Sequence, residues 1–146
     1  MEPPLLAQLY ALLHRGNPGD LGCYRRLCRD APHVLELGAG YGRVAIPLAR
    51  AGSLVVALDI DPQMLALAAA AAASELPEVQ ARLSTTVADM TRFSLGRRFE
   101  RVLIPYNGLC CLLEPSQVRS CLEHARDHLA PGGWLALDVY RADDLQ

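Results

Sequence analysis

The chain has 146 residues, 51% hydrophobic and 21% charged, with a formal net charge of -2, the size and balance of one globular domain able to bury a core. That charge gives no general affinity for nucleic acid or anionic membranes, and because every basic side chain is arginine, lysine Schiff-base chemistry is excluded. Five cysteines at 23, 28, 110, 111 and 121 lack the spacing of a zinc site or a disulfide framework. They are expected to be buried thiols in a reducing compartment.

The pattern predicts a first helix over about Leu5 to His14, then a turn at Gly16-Asn17-Pro18-Gly19. The N-terminus lacks the charged-then-apolar order of a secretory signal, and the longest apolar run, Met64 to Ala73, is too short to span a bilayer. A cytoplasmic location is therefore expected. Asp20 stands where an N-cap belongs, with Leu21, Tyr24, Leu27 and Cys28 at helical spacing behind it and Ala31-Pro32 as a stop. Arg25, Arg26 and Arg29 form a solvated face of that helix.

From here short apolar runs alternate with helices. Val34 to Leu37 is a buried strand ending in glycines, and Arg43 to Arg50 is helical. Leu54 to Leu58 is a second strand, and Asp61-Pro62 caps the next helix with proline in its first turn. Gln80 to Val87 alternates as a third strand, and Phe99 to Ile104 is a fourth. Glu114-Pro115-Ser116 opens a helix through Leu129, and Pro131-Gly132-Gly133 turns into a fifth strand, Trp134 to Tyr140. This order predicts one α/β domain over 1–146, a doubly wound, mainly parallel sheet of about five strands with helices on both faces.

The chemistry concentrates at Glu36-Leu37-Gly38-Ala39-Gly40-Tyr41-Gly42. The turn after the first strand of such a sheet is where a nucleotide-type ligand meets the fold. Glycines let the backbone approach without a Cβ, and the following helix offers free N–H groups. Asp59, at the tip of the second strand, is placed to accept both hydroxyls of a ribose, whereas neighbouring Asp61 is the better helix cap.

The segments VLELGAGYGRVAIPLARAG and VVALDIDPQML resemble the first two motifs of class I S-adenosylmethionine-dependent methyltransferases, of the small-molecule type. Val87 to Met90, Phe99 to Ile104 and His128 to Leu135 resemble the later motifs, in order, so the likeness runs from about Asp20 to Tyr140. It implies a Rossmann-like fold that uses S-adenosylmethionine, releases S-adenosylhomocysteine and needs no metal. It further implies that Glu36, Gly38, Ala39 and Gly40 hold the methionine part and Asp59 the ribose. Ile60 or Met64 would pack on the adenine, and Asp89 would accept from its amine with Met90 alongside.

A dinucleotide-dependent oxidoreductase shares the glycine turn, but its third glycine would fall at Arg43. A binding-only subunit of the same fold is the other alternative, because the family pattern of seven strands extends beyond the five found here. The segment Ile104-Pro105-Tyr106-Asn107-Gly108 differs from the motif of amino-methylating nucleic-acid enzymes and favours a small-molecule acceptor. Tyr106 and Asn107 are candidates to bind it, and His14 is a candidate general base. Tyr10, His14 and Tyr24 place the N-terminal helical segment, 1–30, as a possible lid over the cofactor. His33, His124 and His128 receive no role. The fifth strand is expected to be a bare apolar edge that joins a second copy or a complementing subunit.

Overall fold

The computed structural model describes residues 5–141. Its helices are α1 (Leu5–Leu13), α2 (Asp20–Leu27), α3 (Ala45–Arg50), α4 (Pro62–Ala72), the short α5 (Pro77–Gln80) and α6 (Pro115–Asp127). The strands β1 (His33–Leu37), β2 (Leu54–Asp59), β3 (Leu83–Val87), β4 (Phe99–Ile104) and β5 (Leu129–Leu137) form one sheet in the order β3-β2-β1-β4-β5. Every pairing is parallel. This is the expected Rossmann-like architecture.

The central strands alternate between two cores. Val34, Val55, Ala57 and Leu103 face Tyr24, Cys28, Val44, Leu48 and Val79, from α2, α5 and the α3 segment. Leu35, Leu37, Val56, Leu58, Val102 and Ile104 face Phe93 and the α6 residues Cys121 and Ala125. Two buried faces explain why these strands read as unbroken apolar runs. The polar residue that interrupts the central strand is Glu36, only 2% exposed.

Local sequence explains the starts of α4 and α6. Asp61 accepts from the Gln63 amide at 2.9 Å ahead of Pro62, and Glu114 and Gln117 form a reciprocal capping box ahead of Pro115. Asp20 does not cap α2. Gly19 holds that position at φ 79, and Asp20 is instead drawn into a bidentate ion pair with Arg43 at 2.7 and 2.9 Å.

Other boundaries moved. The α3 helix begins at Ala45, because Gly40 and Gly42 keep the preceding loop in left-handed turns. Gln80 belongs to α5, so β3 is shorter than expected. Pro131-Gly132-Gly133 is no turn before a strand but an irregularity inside β5, which pairs Phe99 with Leu129 and Arg101 with Trp134. A Cβ on Gly133 would lie 2.9–3.1 Å from the Ala130, Glu100 and Phe99 carbonyls, so only glycine fits. The strand then stops at Leu137, short of Tyr140. Of the five cysteines only Cys28 and Cys121 are buried. Cys23 is exposed on α2, and Cys110 and Cys111 lie exposed in a 3-10 turn, Gly108–Cys111.

Candidate active site at the strand tips

A cavity of about 570 Å³ opens over the C-terminal ends of β1, β2 and β4, the size and place of a small-molecule site in an open α/β sheet. Glu36, Gly38, Ala39, Gly40, Asp59, Ile60, Met64, Asp89 and Met90 all line it, as do Tyr10, His14 and Tyr106. Asn107 does not. It is 8% exposed, and neither polar atom of its amide has a partner among the described residues. The chain turns sharply there, with Tyr106 at φ 53 and Asn107 at φ 58, which leaves Tyr106 on the wall and Asn107 buried off it.

The glycine loop follows β1 with Gly38 at φ 70 and Gly40 at φ 57, conformations that side chains resist. Gly42 has a second reason to be glycine: its Cβ would sit 3.1 Å from Ile46 and 3.2 Å from Ala68, where α3 meets α4. The loop is braced by Asp59, whose Oδ2 accepts from the Gly40 amide at 2.7 Å while Oδ1 accepts from the Asp61 amide at 2.9 Å. A carboxylate has lone pairs beyond these two bonds, so Asp59 holds the loop and still presents acceptors to the cavity.

Glu36 is the most demanding group in the site. Burial pushes its carboxyl up to about 8, against the pull of Arg43 and with a further push from Asp59. Its Oε2 has no partner among the described residues. A buried acceptor left unpaired is costly, and a cationic donor in the cavity would satisfy it. Asp89 is tuned the other way. The Thr91 amide and hydroxyl, at 2.8 and 2.7 Å, hold its carboxyl below the ordinary range. An ionised acceptor therefore stands beside Met90. Together the acids suit a ligand carrying an ammonium, hydroxyls and an aromatic amine, as S-adenosylmethionine does. Among the described residues no group of three or more His, Cys, Asp or Glu is placed to hold a metal.

The N-terminal segment divides into two parts. From α1 and its end, Leu6, Ala7, Tyr10 and His14 line the cavity. Tyr24, expected beside them, is instead 4% exposed in the core, its hydroxyl bonded to Asp138. It belongs to the core cluster with Cys28, Val34 and Leu48. The site also contains residues the sequence reading passed over: Arg43, which lies 5.5 Å from the centre of the Tyr106 ring, and Tyr41, Cys111 and Thr91. Arg43 was visible inside the glycine motif, but only as a missing glycine.

A family model described as a methyltransferase domain matches residues 34–133. A provisionally named methyltransferase of Geobacillus sp. (strain WCH70) is 33% identical over 112 residues, 77% of this chain and 44% of that protein. The dTDP-3-amino-3,6-dideoxy-alpha-D-glucopyranose N,N-dimethyltransferase of Streptomyces fradiae is 27% identical over 143 residues, 92% of this chain and 53% of that one. The crystal structure of the glycopeptide N-methyltransferase MtfA with S-adenosylmethionine aligns with a TM-score of 0.73 at 31% identity, covering 82% of this chain and 53% of that chain. The chain thus spans about half the length of these relatives.

Proposed function

Because the chain belongs to the methyltransferase-domain family, we propose that it binds S-adenosylmethionine in the strand-tip cavity and moves the methyl group to an amine of a small molecule, releasing S-adenosylhomocysteine. The observation that carries this reading is the unpaired, buried Glu36 carboxyl oxygen beside the glycine loop, an acceptor awaiting the ligand's ammonium. Support for an amine acceptor comes from the relatives named for N-methylation of a sugar and a glycopeptide. The protein's part in such chemistry is orientation and charge placement, since the sulfonium supplies the reactivity. Five free thiols suit a reducing, cytoplasmic setting.

Calorimetric titration with S-adenosylmethionine and S-adenosylhomocysteine tests the reading. Wild type is expected to bind both, and Asp59→Ala to bind roughly 1.5–3 kcal/mol more weakly, the scale of hydrogen bonds to a charged group. Equal affinity in the variant would remove Asp59 from the ribose. Binding without turnover on an amino-sugar panel would favour the second reading, a binding-only subunit.

The reading extends to two neighbouring elements. The helix α1 acts as a lid: it borders the cavity, yet Ala7 is its only buried residue. Hydrogen exchange of residues 5–14 should slow when S-adenosylmethionine is added, and equal protection in both states would remove the lid. At the sheet's margin, β5 has no fully buried residue and no strand on its outer side among the described residues. The Arg101 guanidinium covers one face of Trp134 at 4.2 Å, leaving Trp134 and Leu137 about 40% exposed. In this chain by itself, an edge of this kind is open to pairing with a second copy. Light scattering on this chain should give a mass above its 15.9 kDa monomer; a stable monomer at tens of micromolar would sink the idea.

A further inference from the structure

We infer that His14, oriented by Tyr106, is the base that takes a proton from the methyl acceptor, an inference that rests on the methyl-transfer reading above. Part of the cavity wall is made by Leu6, Tyr10, His14, Tyr106, Cys111 and Leu112, a mostly apolar set that contains no carboxylate. Within it His14 is held at its ring and at its backbone. Its ring stacks on Tyr10 at 4.2 Å, its Nδ1 lies 3.3 Å from the Tyr106 hydroxyl, and its backbone carbonyl accepts from the Tyr41 hydroxyl at 2.7 Å. Two contacts hold the ring and one holds its backbone, and they leave Nε2 without a partner among the described residues.

Several other titratable groups of the cavity already have partners. Both terminal nitrogens of Arg43 are bonded to Asp20. Asp59 braces the glycine loop and Asp89 is engaged by Thr91. Burial holds the Tyr10 and Tyr41 phenols protonated. The side chains against the imidazole are Tyr10, stacked on it, and Tyr106, at its Nδ1, while Tyr41 bonds the His14 backbone carbonyl. None of these is a carboxylate.

An amine near neutral pH is largely an ammonium and has no lone pair to attack with. His14 Nε2 takes one proton from it. The freed lone pair forms the bond to the methyl carbon as the carbon–sulfur bond breaks, its electrons passing to sulfur, so that the sulfonium becomes a neutral thioether. The methylated amine leaves as an ammonium, and His14 returns its proton to water. For Nε2 to accept, Nδ1 must carry the other hydrogen and donate it to the Tyr106 oxygen, which also steadies the imidazolium once formed. Arg43 over the Tyr106 ring keeps that phenol in place.

The tautomer is read on the empty protein by nitrogen-15 NMR of the imidazole and needs no acceptor. Neutral His14 is expected to carry its hydrogen on Nδ1, and Tyr106→Phe to shift the population toward Nε2–H; an Nε2–H tautomer in wild type would overturn the inference. With the dTDP-linked 3-amino-3,6-dideoxy sugar as probe acceptor, His14→Gln should lower kcat about 100-fold, the scale of general-base catalysis. The acid limb of its pH profile should move up to the acceptor's own ionisation, with affinity for S-adenosylmethionine unchanged. Intact binding with unaltered kcat and pH profile in His14→Gln overturns this inference alone. Failure of wild type to bind S-adenosylmethionine overturns the methyl-transfer reading and this inference with it.

Discussion

Glu36→Gln is expected to weaken S-adenosylmethionine binding by about 100-fold while raising the melting temperature of the empty protein at pH 8. The two effects share one cause. Glu36 sits on a central strand, fully enclosed, with one oxygen unpaired and with Asp59 adding a like charge nearby. Its carboxyl is pushed from the ordinary 4.5 up to about 8. Below pH 4.5 the group is protonated in both the folded and unfolded chains and costs nothing. As pH rises towards about 8 the unfolded chain ionises first, so the folded state loses stability on the order of a few kcal/mol across that window. A ligand ammonium reverses the penalty, because an opposite charge at the unpaired oxygen favours the ionised form. Removing one partner of such a buried pair costs about 3 kcal/mol, which is the predicted loss of affinity. The neutral amide abolishes the titration altogether. Thermal unfolding from pH 5 to 8, with and without S-adenosylmethionine, checks both arms. A wild-type profile that is flat in pH, or a glutamine variant that binds as well as wild type, would refute the account. Stability surrendered at a binding residue is a common pattern in enzymes.

The lining of the cavity at the strand tips was legible in the sequence because its chemistry is local. A glycine loop after a buried strand and an acid at the next strand tip are each set by one or two neighbouring residues, and Glu36, Gly40, Asp59 and Asp89 accordingly meet in one cavity. The wall around His14 and Tyr106 was less legible because it is assembled over long distances. His14 meets Tyr106 from 92 residues away, and Tyr41 reaches back to the His14 carbonyl. Helix ends failed for a related reason. Asp20 has the chemistry of an N-cap, but the charge of Arg43 competes for it and wins, leaving Gly19 to turn the chain. The Pro131-Gly132-Gly133 segment carries a strong turn signal, yet the ladder with β4 resumes across it because Gly133 fits against three carbonyls. Asp138 falls within the stretch expected as the fifth strand, with no local signal of its role. The structure makes it a junction.

That junction supports the last prediction: Asp138→Ala should destabilise the protein by about 3 kcal/mol and impair the acceptor side of the site more than the cofactor side. Asp138 lies just past β5, and its Oδ1 accepts from the Tyr24 hydroxyl and, at 2.7 Å, from the Tyr106 amide. Its Oδ2 accepts from the Asn17 side chain at 3.3 Å, and its carbonyl accepts from the Asn107 amide at 3.2 Å. One carboxylate therefore ties the end of the sheet to α2, to the Gly16–Gly19 turn and to the loop after β4. Tyr24 is 4% exposed, so without Asp138 its hydroxyl is left buried and unpaired, a cost of about 1–3 kcal/mol. Tyr106 and Asn107 both hold left-handed backbones at φ 53 and 58, a strain of about 1–3 kcal/mol each that persists only while surrounding bonds enforce it. Freed of Asp138, that turn relaxes, and the Tyr106 hydroxyl drifts from His14. Tyr24→Phe removes a single bond and should cost less, about 1 kcal/mol. Because the two residues touch, the double variant should fall short of the sum of the singles by at least about 0.5 kcal/mol. Urea unfolding of the three variants measures this. An Asp138→Ala loss below about 1 kcal/mol, or strict additivity with Tyr24→Phe, would mean that the loop is held by its own packing and that Asp138 is only a surface charge.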